Sequence, residues 1–202
     1  MRKLAALLLA PLLCAAAGAR AQSADEAAQA KEEAIQQAAL EAVRELSELR
    51  AGGALNDASA LALIQKTLSP HFDYGHLTRQ AMGKYWSRAN DEQRAVVTEL
   101  FRAKIERTYA KSLSKFSDQN LAFPPAERQR NGDYRIGIDV EHDGSTVFLH
   151  FILTEARGEW TINDFLVENV SLVKNFRSQF YAIIRKEGVD GFIALLRREA
   201  AG

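Results

Sequence analysis

The stretch WTINDFLVENVSLVKNFRSQF, residues 160–180, decides how this chain folds. Its first half alternates as a strand does. Trp160, Ile162 and Leu166 fall on one face at period two, and that places Asp164 on the same apolar face. Glu168-Asn169 reads as a turn, and Leu172, Phe176 and Phe180 then recur every four residues, as on one stripe of a helix. A strand therefore hands the chain directly to a helix. Two residues stand out against this apolar ground: Asp164 within the strand, and Arg177 between Phe176 and Phe180.

Working outward towards the N-terminus, period two continues upstream. YRIGIDVE (134–141) sets Tyr134, Ile136, Ile138 and Val140 against Arg135, Asp139 and Glu141. HDGS (142–145) is a hairpin turn. TVFLHFILTEA (146–156) is apolar on both faces, Phe148 and Ile152 on one and Leu149, Phe151 and Leu153 on the other; this predicts a central strand covered on both sides. NLAFPP (120–125) is a short strand whose prolines favour a sheet edge.

Before residue 116 the period is helical. Asn90 with Gln93 forms a capping pattern that opens a helix over about 91–116, with Val97, Phe101, Ile105, Tyr109 and Leu113 in one i+4 row. A shorter helix starts near Asp73 with Phe72, Leu77, Met82, Tyr85 and Trp86 as anchors. Asp57 is the expected cap of another, which carries Leu61, Leu63, Ile64 and Leu68 and stops near Pro70. Ser23 with Glu26 fits a capping box for an Ala-rich helix with a thin stripe (Ile35, Ala39, Ala42, Leu46, Leu49) that predicts light packing, ended by Gly52-Gly53. Two closing helices, about 171–186 and 190–200, are parted by Gly188. Helices, an antiparallel meander, then helices give an α+β domain with helices packed on one face of a curved antiparallel sheet.

The first 21 residues read differently. MRK, the apolar run LAALLLAPLLCAAAG and ARA have the charge, apolar and small-residue order of a secretory signal peptide cut after Ala21. The run is shorter than the roughly 20 residues a bilayer needs. Residues 22–202 are then a single domain, of which 22–56 is the Ala-rich helix and its linker. Cys14, the one cysteine, leaves with the leader, so the remaining fold stands on its core. The leader also takes Arg2, Lys3 and Arg20 and no acid, turning 26 basic against 26 acidic residues into 23 against 26. That balance excludes the basic footprint of a nucleic-acid binder.

Catalytic patterns are missing. His71, His76, His142 and His150 lack metal-ligand spacing, and no nucleophile elbow, phosphate loop or dinucleotide glycine pattern occurs. Asp164 is the exceptional carboxylate. It reads as a general base in a pocket or, preferably, as a group hydrogen-bonded to Arg177 or to a helix terminus. No catalytic residue, metal or cofactor is expected.

The segments 160–180, GVDGFIALL (188–196), HFDYGHLTRQAMGKYW (71–86) and EQRAVVTELFRAKIERTYAKSL (92–113) resemble the MlaC family, the toluene-tolerance or Mla-type periplasmic phospholipid carriers. The resemblance spans about residues 61–196. The charged, repetitive N-terminal helix departs from the family, as does Phe176, where a tyrosine is common. The resemblance implies a periplasmic shuttle, an ABC-transporter auxiliary component, that takes glycerophospholipid acyl chains into an apolar pocket enclosed by sheet and helices. It implies exchange with an outer-membrane lipoprotein–porin complex and an inner-membrane Mla-type ABC transporter carrying a lipid-binding ring, and hence a role in outer-membrane lipid asymmetry. Combined with the apolar periodicities, it points to a lining of Phe72, Leu77, Tyr85, Val97, Phe101, Ile105, Tyr109, Phe148, Phe151, Leu153, Ile162, Phe165, Leu172, Phe176 and Phe180. Asp164 and Arg177 are the expected brace or mouth: Arg177 clamps Asp164 or, alternatively, meets lipid phosphate. The competing reading is a periplasmic adaptor or chaperone that presents an apolar surface to a protein.

Overall fold

A computed structural model describes residues 10–115, 120–142, 144–156 and 159–201. Helix α1 (Ala10–Ala51) leads into α2 (Asp57–Leu63), a π-helical turn (Ile64–Leu68) and a 3-10 turn (Ser69–His71). Next come α3 (Tyr74–Met82), a second 3-10 segment (Gly83–Arg88) and the long α4 (Asp91–Leu113). The sheet follows as β1 (Asn120–Ala122), β2 (Glu127–Arg128), β3 (Tyr134–His142), β4 (Ser145–Ala156), β5 (Glu159–Val167) and β6 (Val170–Ser171). Helix α5 (Leu172–Ala201) closes the chain and breaks at Gly188, where φ is +69°. Residues 1–9 of the expected leader lie outside the described residues.

Local chemistry explains most of the boundaries. Asn90 accepts from the Gln93 amide while Gln93 answers the Asn90 amide, a reciprocal cap for α4. Asp73 caps α3 through the His76 amide at 2.8 Å. At α2 the cap is Asn56, paired reciprocally with Ser59, and the expected Asp57 is the first helical residue; an amide oxygen one position earlier reaches both Ala58 and Ser59. Ser23 starts no helix, because α1 runs through it from Ala10.

The strands form one antiparallel sheet ordered β1-β3-β4-β5-β6, with β2 also on β3. The β5–β6 hairpin turns on Glu168 and Asn169, both at positive φ (50° and 63°), the two-residue conformation that suits a tight hairpin. Glu168 also closes the neighbouring ladder, its amide donating to the Phe148 carbonyl and its carboxylate accepting from the Phe148 amide. One register slip matters. Leu153 pairs with Ile162 but Ile152 pairs with Asp164, so Asn163 is an extra residue, a bulge. Its side chain donates to Thr154 Oγ1.

Ile136, Ile138, Phe151, Leu153, Trp160, Ile162 and Phe165 are buried on the helix-facing side and join α3, α4 and α5 in one core. Helix α1 packs more firmly than its thin stripe predicts: Ile35 and Leu46 are 2% and 1% exposed, because alanines at 28, 38, 39 and 42 let the backbone approach closely. Asp25 ties it to the sheet, accepting from Tyr134 and pairing with Arg128 at 3.1 Å.

The expectation that β4 is covered on both sides does not hold. Its other face, with Phe148 at 40% exposure, is largely open, since the helices all take the Phe151 side. Replacing Asn90 by alanine is expected to cost about 1 kcal/mol in urea unfolding. Phe101→Ala, which removes a fully buried ring, is expected to cost about 3–5 kcal/mol, and a value below that of the cap variant would contradict this core.

Candidate functional site

The layer between sheet and helices is lined with rings. Phe101 of α4 lies 4.9 Å from Phe176 and 5.0 Å from Phe180 of α5, and Phe180 meets Phe192 at 4.5 Å. On the sheet side Phe151 stacks on Phe165 at 4.9 Å, Phe165 meets Tyr109 at 5.5 Å, and Phe72 reaches Phe151 at 6.1 Å. Phe72 arrives there because its backbone forms a bridge to Ile162 in the sheet.

Of the residues expected to line a pocket, all but Phe148 belong to this one cluster. Leu77, Tyr85, Val97, Phe101, Ile105, Phe151, Leu153, Ile162, Phe165, Leu172, Phe176 and Phe180 are buried in it, with Phe72 and Tyr109 partly buried against it. Phe148 is the correction, since it stands on the opposite face of β4. In this structure the rings meet one another across the layer. The largest cavity described, about 690 Å³, lies elsewhere, among α2, α4 and the end of α5, bordered by Leu61, Leu100, Lys104, Arg107 and Leu196.

The bulge also corrects the reading of Asp164. The core face passes from Ile162 to Phe165, and Asp164 turns to the start of α5. Its carboxylate accepts from its neighbour Phe165 N at 2.8 Å, from Ser171 Oγ at 2.5 Å and from Val173 N at 3.2 Å. Ser171 Oγ in turn accepts from Lys174 N. Of the partners weighed from sequence, the helix terminus is the one it has. With three donors on it, the carboxylate is a structural cap.

Arg177 forms no hydrogen bond or ion pair with Asp164. It donates through Nε to the Gln80 carbonyl at 2.8 Å, fastening α5 to the end of α3. Tyr181, one turn on, accepts the Lys84 amide at 3.1 Å, and a Cβ on Gly83 (φ +49°) would overlap its hydroxyl. The α3–α5 seam is therefore tight.

Sequence reasoning missed a buried carboxylate on α4. Glu106 is 2% exposed and receives Arg102 Nε at 2.8 Å, Ser69 Oγ at 2.5 Å and Gln65 Nε2 at 2.8 Å. Burial pushes its pKa up, but the hydrogen bonds from Arg102, Ser69 and Gln65 and the Arg102 charge together outweigh it and hold the group below its ordinary value. Arg102 and Glu106 are four apart and look like a surface ion pair; only the packing of the π-helical turn over α4 buries the acid. Nearby, burial first and the Asp164 charge second raise Tyr109, so it stays neutral. Among the described residues no group of three His, Cys, Asp or Glu side chains is placed to hold a metal ion.

The sequence pattern of the MlaC protein family matches residues 36–198, which includes the sheet, the ring-lined layer and nearly all of α5. The chain belongs to the MlaC family. Among curated proteins, this family member is 22% identical over 144 residues to the intermembrane phospholipid transport system binding protein MlaC of Haemophilus influenzae, covering 69% of this chain and 67% of that one. It is 24% identical over 129 residues to toluene tolerance protein ttg2D of Pseudomonas putida, covering 63% of this chain and 60% of that one, so the match leaves a sizeable part of that relative unspanned. Among solved structures, a phospholipid-binding protein of Ralstonia solanacearum in complex with a phospholipid superposes with a TM-score of 0.73 at 24% identity, over 84% of this chain and 96% of that one. The likeness shows the MlaC fold.

Asp164→Ala should loosen the first turn of α5, read as faster amide exchange at Val173 and Lys174, with a loss of about 1–3 kcal/mol. Unchanged exchange there would refute the cap. Glu106 has a depressed folded pKa, so its contribution is present above the ordinary glutamate range and is lost as pH falls through the folded value. The wild-type advantage over Glu106→Gln in chemical unfolding is therefore expected at neutral pH and should shrink below about pH 4.

Proposed function

We propose that this chain is an exported phospholipid carrier whose acyl-chain site is the ring-lined layer between sheet and helices. The observation that carries the reading is that α3 with the residues flanking it (Phe72 and Tyr85), α4, α5, β4 and β5 bring fourteen of the fifteen expected lining residues into one continuous apolar cluster. The phospholipid-binding Ralstonia protein, whose fold it shares, supports it, as do the phospholipid transport and toluene tolerance roles named for its relatives.

The energetics favour a shuttle. Two acyl chains hold roughly 30 methylenes, each about 0.8 kcal/mol when removed from water, more than ~20 kcal/mol before the costs of binding. Release into water is slow, and delivery takes place on a partner that offers another apolar path. Following the family, those partners are an outer-membrane lipoprotein–porin complex and an inner-membrane Mla-type ABC transporter with its lipid-binding ring, and the process served is outer-membrane lipid asymmetry. Residues 1–21 act as the signal peptide that sends the rest, one domain over 22–202, to the periplasm. Here the protein's work is binding, with no bond made or broken; Asp164, the carboxylate first weighed as a base, is engaged at the start of α5.

A second reading, an adaptor that presents apolar surface to a protein, draws on Val147, Phe148 and Val170, which are 39%, 40% and 62% exposed at the open end of the sheet. Native mass spectrometry of the protein purified from the periplasm separates the two. The carrier reading expects a stoichiometric phospholipid adduct that is lost in a folded Val97→Trp variant, where a larger ring fills the layer. A protein that arrives empty and takes no lipid from vesicles would favour the adaptor.

A further inference from the structure

The rings of the apolar layer are in contact with one another across it, so acyl chains enter only where one wall gives way. The helical walls are not held alike. Arg177 and Tyr181 fasten the first half of α5 to α3 and the segment after it, and Asp164 caps the start of the same half. Helix α4 is held by the buried Glu106 and its three donors. The second half of α5, beyond Gly188, is attached differently. Among the described residues, its polar contacts with other elements all go to α4, at exposed positions. Asp190 accepts from Gln93 Nε2 at 2.6 Å, Glu199 pairs with Lys104 at 2.7 Å, and the Ala200 carbonyl accepts from Arg107. Exposed contacts of this kind hold weakly.

Gly188 is where the two halves part. Its φ of +69° and ψ of −178° lie in a region that only glycine enters freely, and a Cβ there would meet open space, so the constraint belongs to the backbone alone. The helix then resumes and turns Phe192, Ile193 and Leu196 inward, at 0%, 7% and 3% exposure. Phe192 lies 4.5 Å from Phe180 and extends the row of rings that runs from Phe176 through Phe101 and Phe180. On the other flank, the cavity of about 690 Å³ lies between the last turns, at Leu196, Glu199 and Ala200, and α2 at Asp57, Ala58 and Leu61. The segment therefore covers the layer on one side and has room to move on the other.

We propose that residues 189–201 are a lid, hinged at Gly188 and latched to α4 through Gln93, Lys104 and Arg107, whose opening uncovers Phe180 and Phe101 and admits acyl chains to the layer. The inference rests on the carrier reading for what enters, but not for the motion itself. Opening breaks three exposed polar contacts and parts Phe192 from Phe180. An acyl chain that takes the place of Phe192 restores an apolar neighbour to Phe180, so the open form is stabilised by the cargo it admits.

The test locks the lid. Lys104→Cys with Glu199→Cys, joined by a reductant-cleavable bismaleimide, fixes the segment to α4 where the ion pair stands. Cys14, the one native cysteine, lies in the expected leader, so the introduced pair is unique in protein purified from the periplasm. Uptake of phosphatidylglycerol from vesicles by protein stripped of lipid is followed by native mass spectrometry, with the unbridged double variant and thermal unfolding as controls. Backbone hydrogen exchange of the wild-type protein is measured beside it. The expected result is uptake about tenfold slower in the bridged protein, restored by reductant, and one common exchange rate for the amides of 193–196, faster than for 176–184. A bridged protein that loads as fast as the unbridged one, or exchange that instead falls off in a gradient from the end of α5 as fraying does, overturns the lid and leaves the carrier reading standing. An unbridged protein that takes up no lipid removes the carrier reading; one common exchange rate then supports the hinged motion by itself, and a graded one overturns that as well.

Discussion

A single extra residue in β5 governs how the two halves of this molecule meet. With Asn163 bulged out and held by Thr154, Ile162 and Phe165 both reach the core face, and Asp164 is released from it. That carboxylate then gathers the first turn of α5 through Ser171 and Val173. The path of α5 follows from that anchor. It brings Phe176 and Phe180 against Phe101 of α4 and sets Arg177 where it meets the end of α3. Without the bulge, strict alternation would direct Asp164 at the apolar layer, and an unpartnered buried carboxylate there is costly.

The resulting structure separates fixed parts from adaptable ones. Polar groups hold the frame: Glu106 gathers Gln65, Ser69 and Arg102 where the π-helical turn crosses α4, Asp164 holds α5 to the sheet, and Arg177 with Tyr181 closes the α3–α5 seam. Between them lies a layer of non-directional ring and aliphatic contacts. Such contacts exchange one apolar neighbour for another with little change in free energy, whereas each buried hydrogen bond is lost at a cost. A container for acyl chains needs that division.

It also explains how a fold is shared at 24% identity with a TM-score of 0.73. Apolar layers tolerate substitution when pattern and total volume are kept. Groups whose role depends on direction, such as caps, a bulge or a left-handed turn, have fewer physical substitutes.

Much of the fold was legible in the sequence because it is written at short range. Asn90 with Gln93, Asp73 before α3, the Glu168-Asn169 turn, the break at Gly188 and the change of period from helix to strand all concern residues within a few positions of one another. The membership of the apolar layer was legible as well, since periodicity states which face of each element is apolar. What the tertiary structure alone decided is what lies across from each face. Phe148 is as apolar as Phe151, but the helices cover only one side of β4. Asp164 shares the parity of Trp160, and a bulge, which depends on the partner strand, breaks that parity. Arg102 and Glu106 read as a solvated pair until α2 and its π-helical extension bury the acid. Periodicity carries information about which way a side chain points, and none about what it meets.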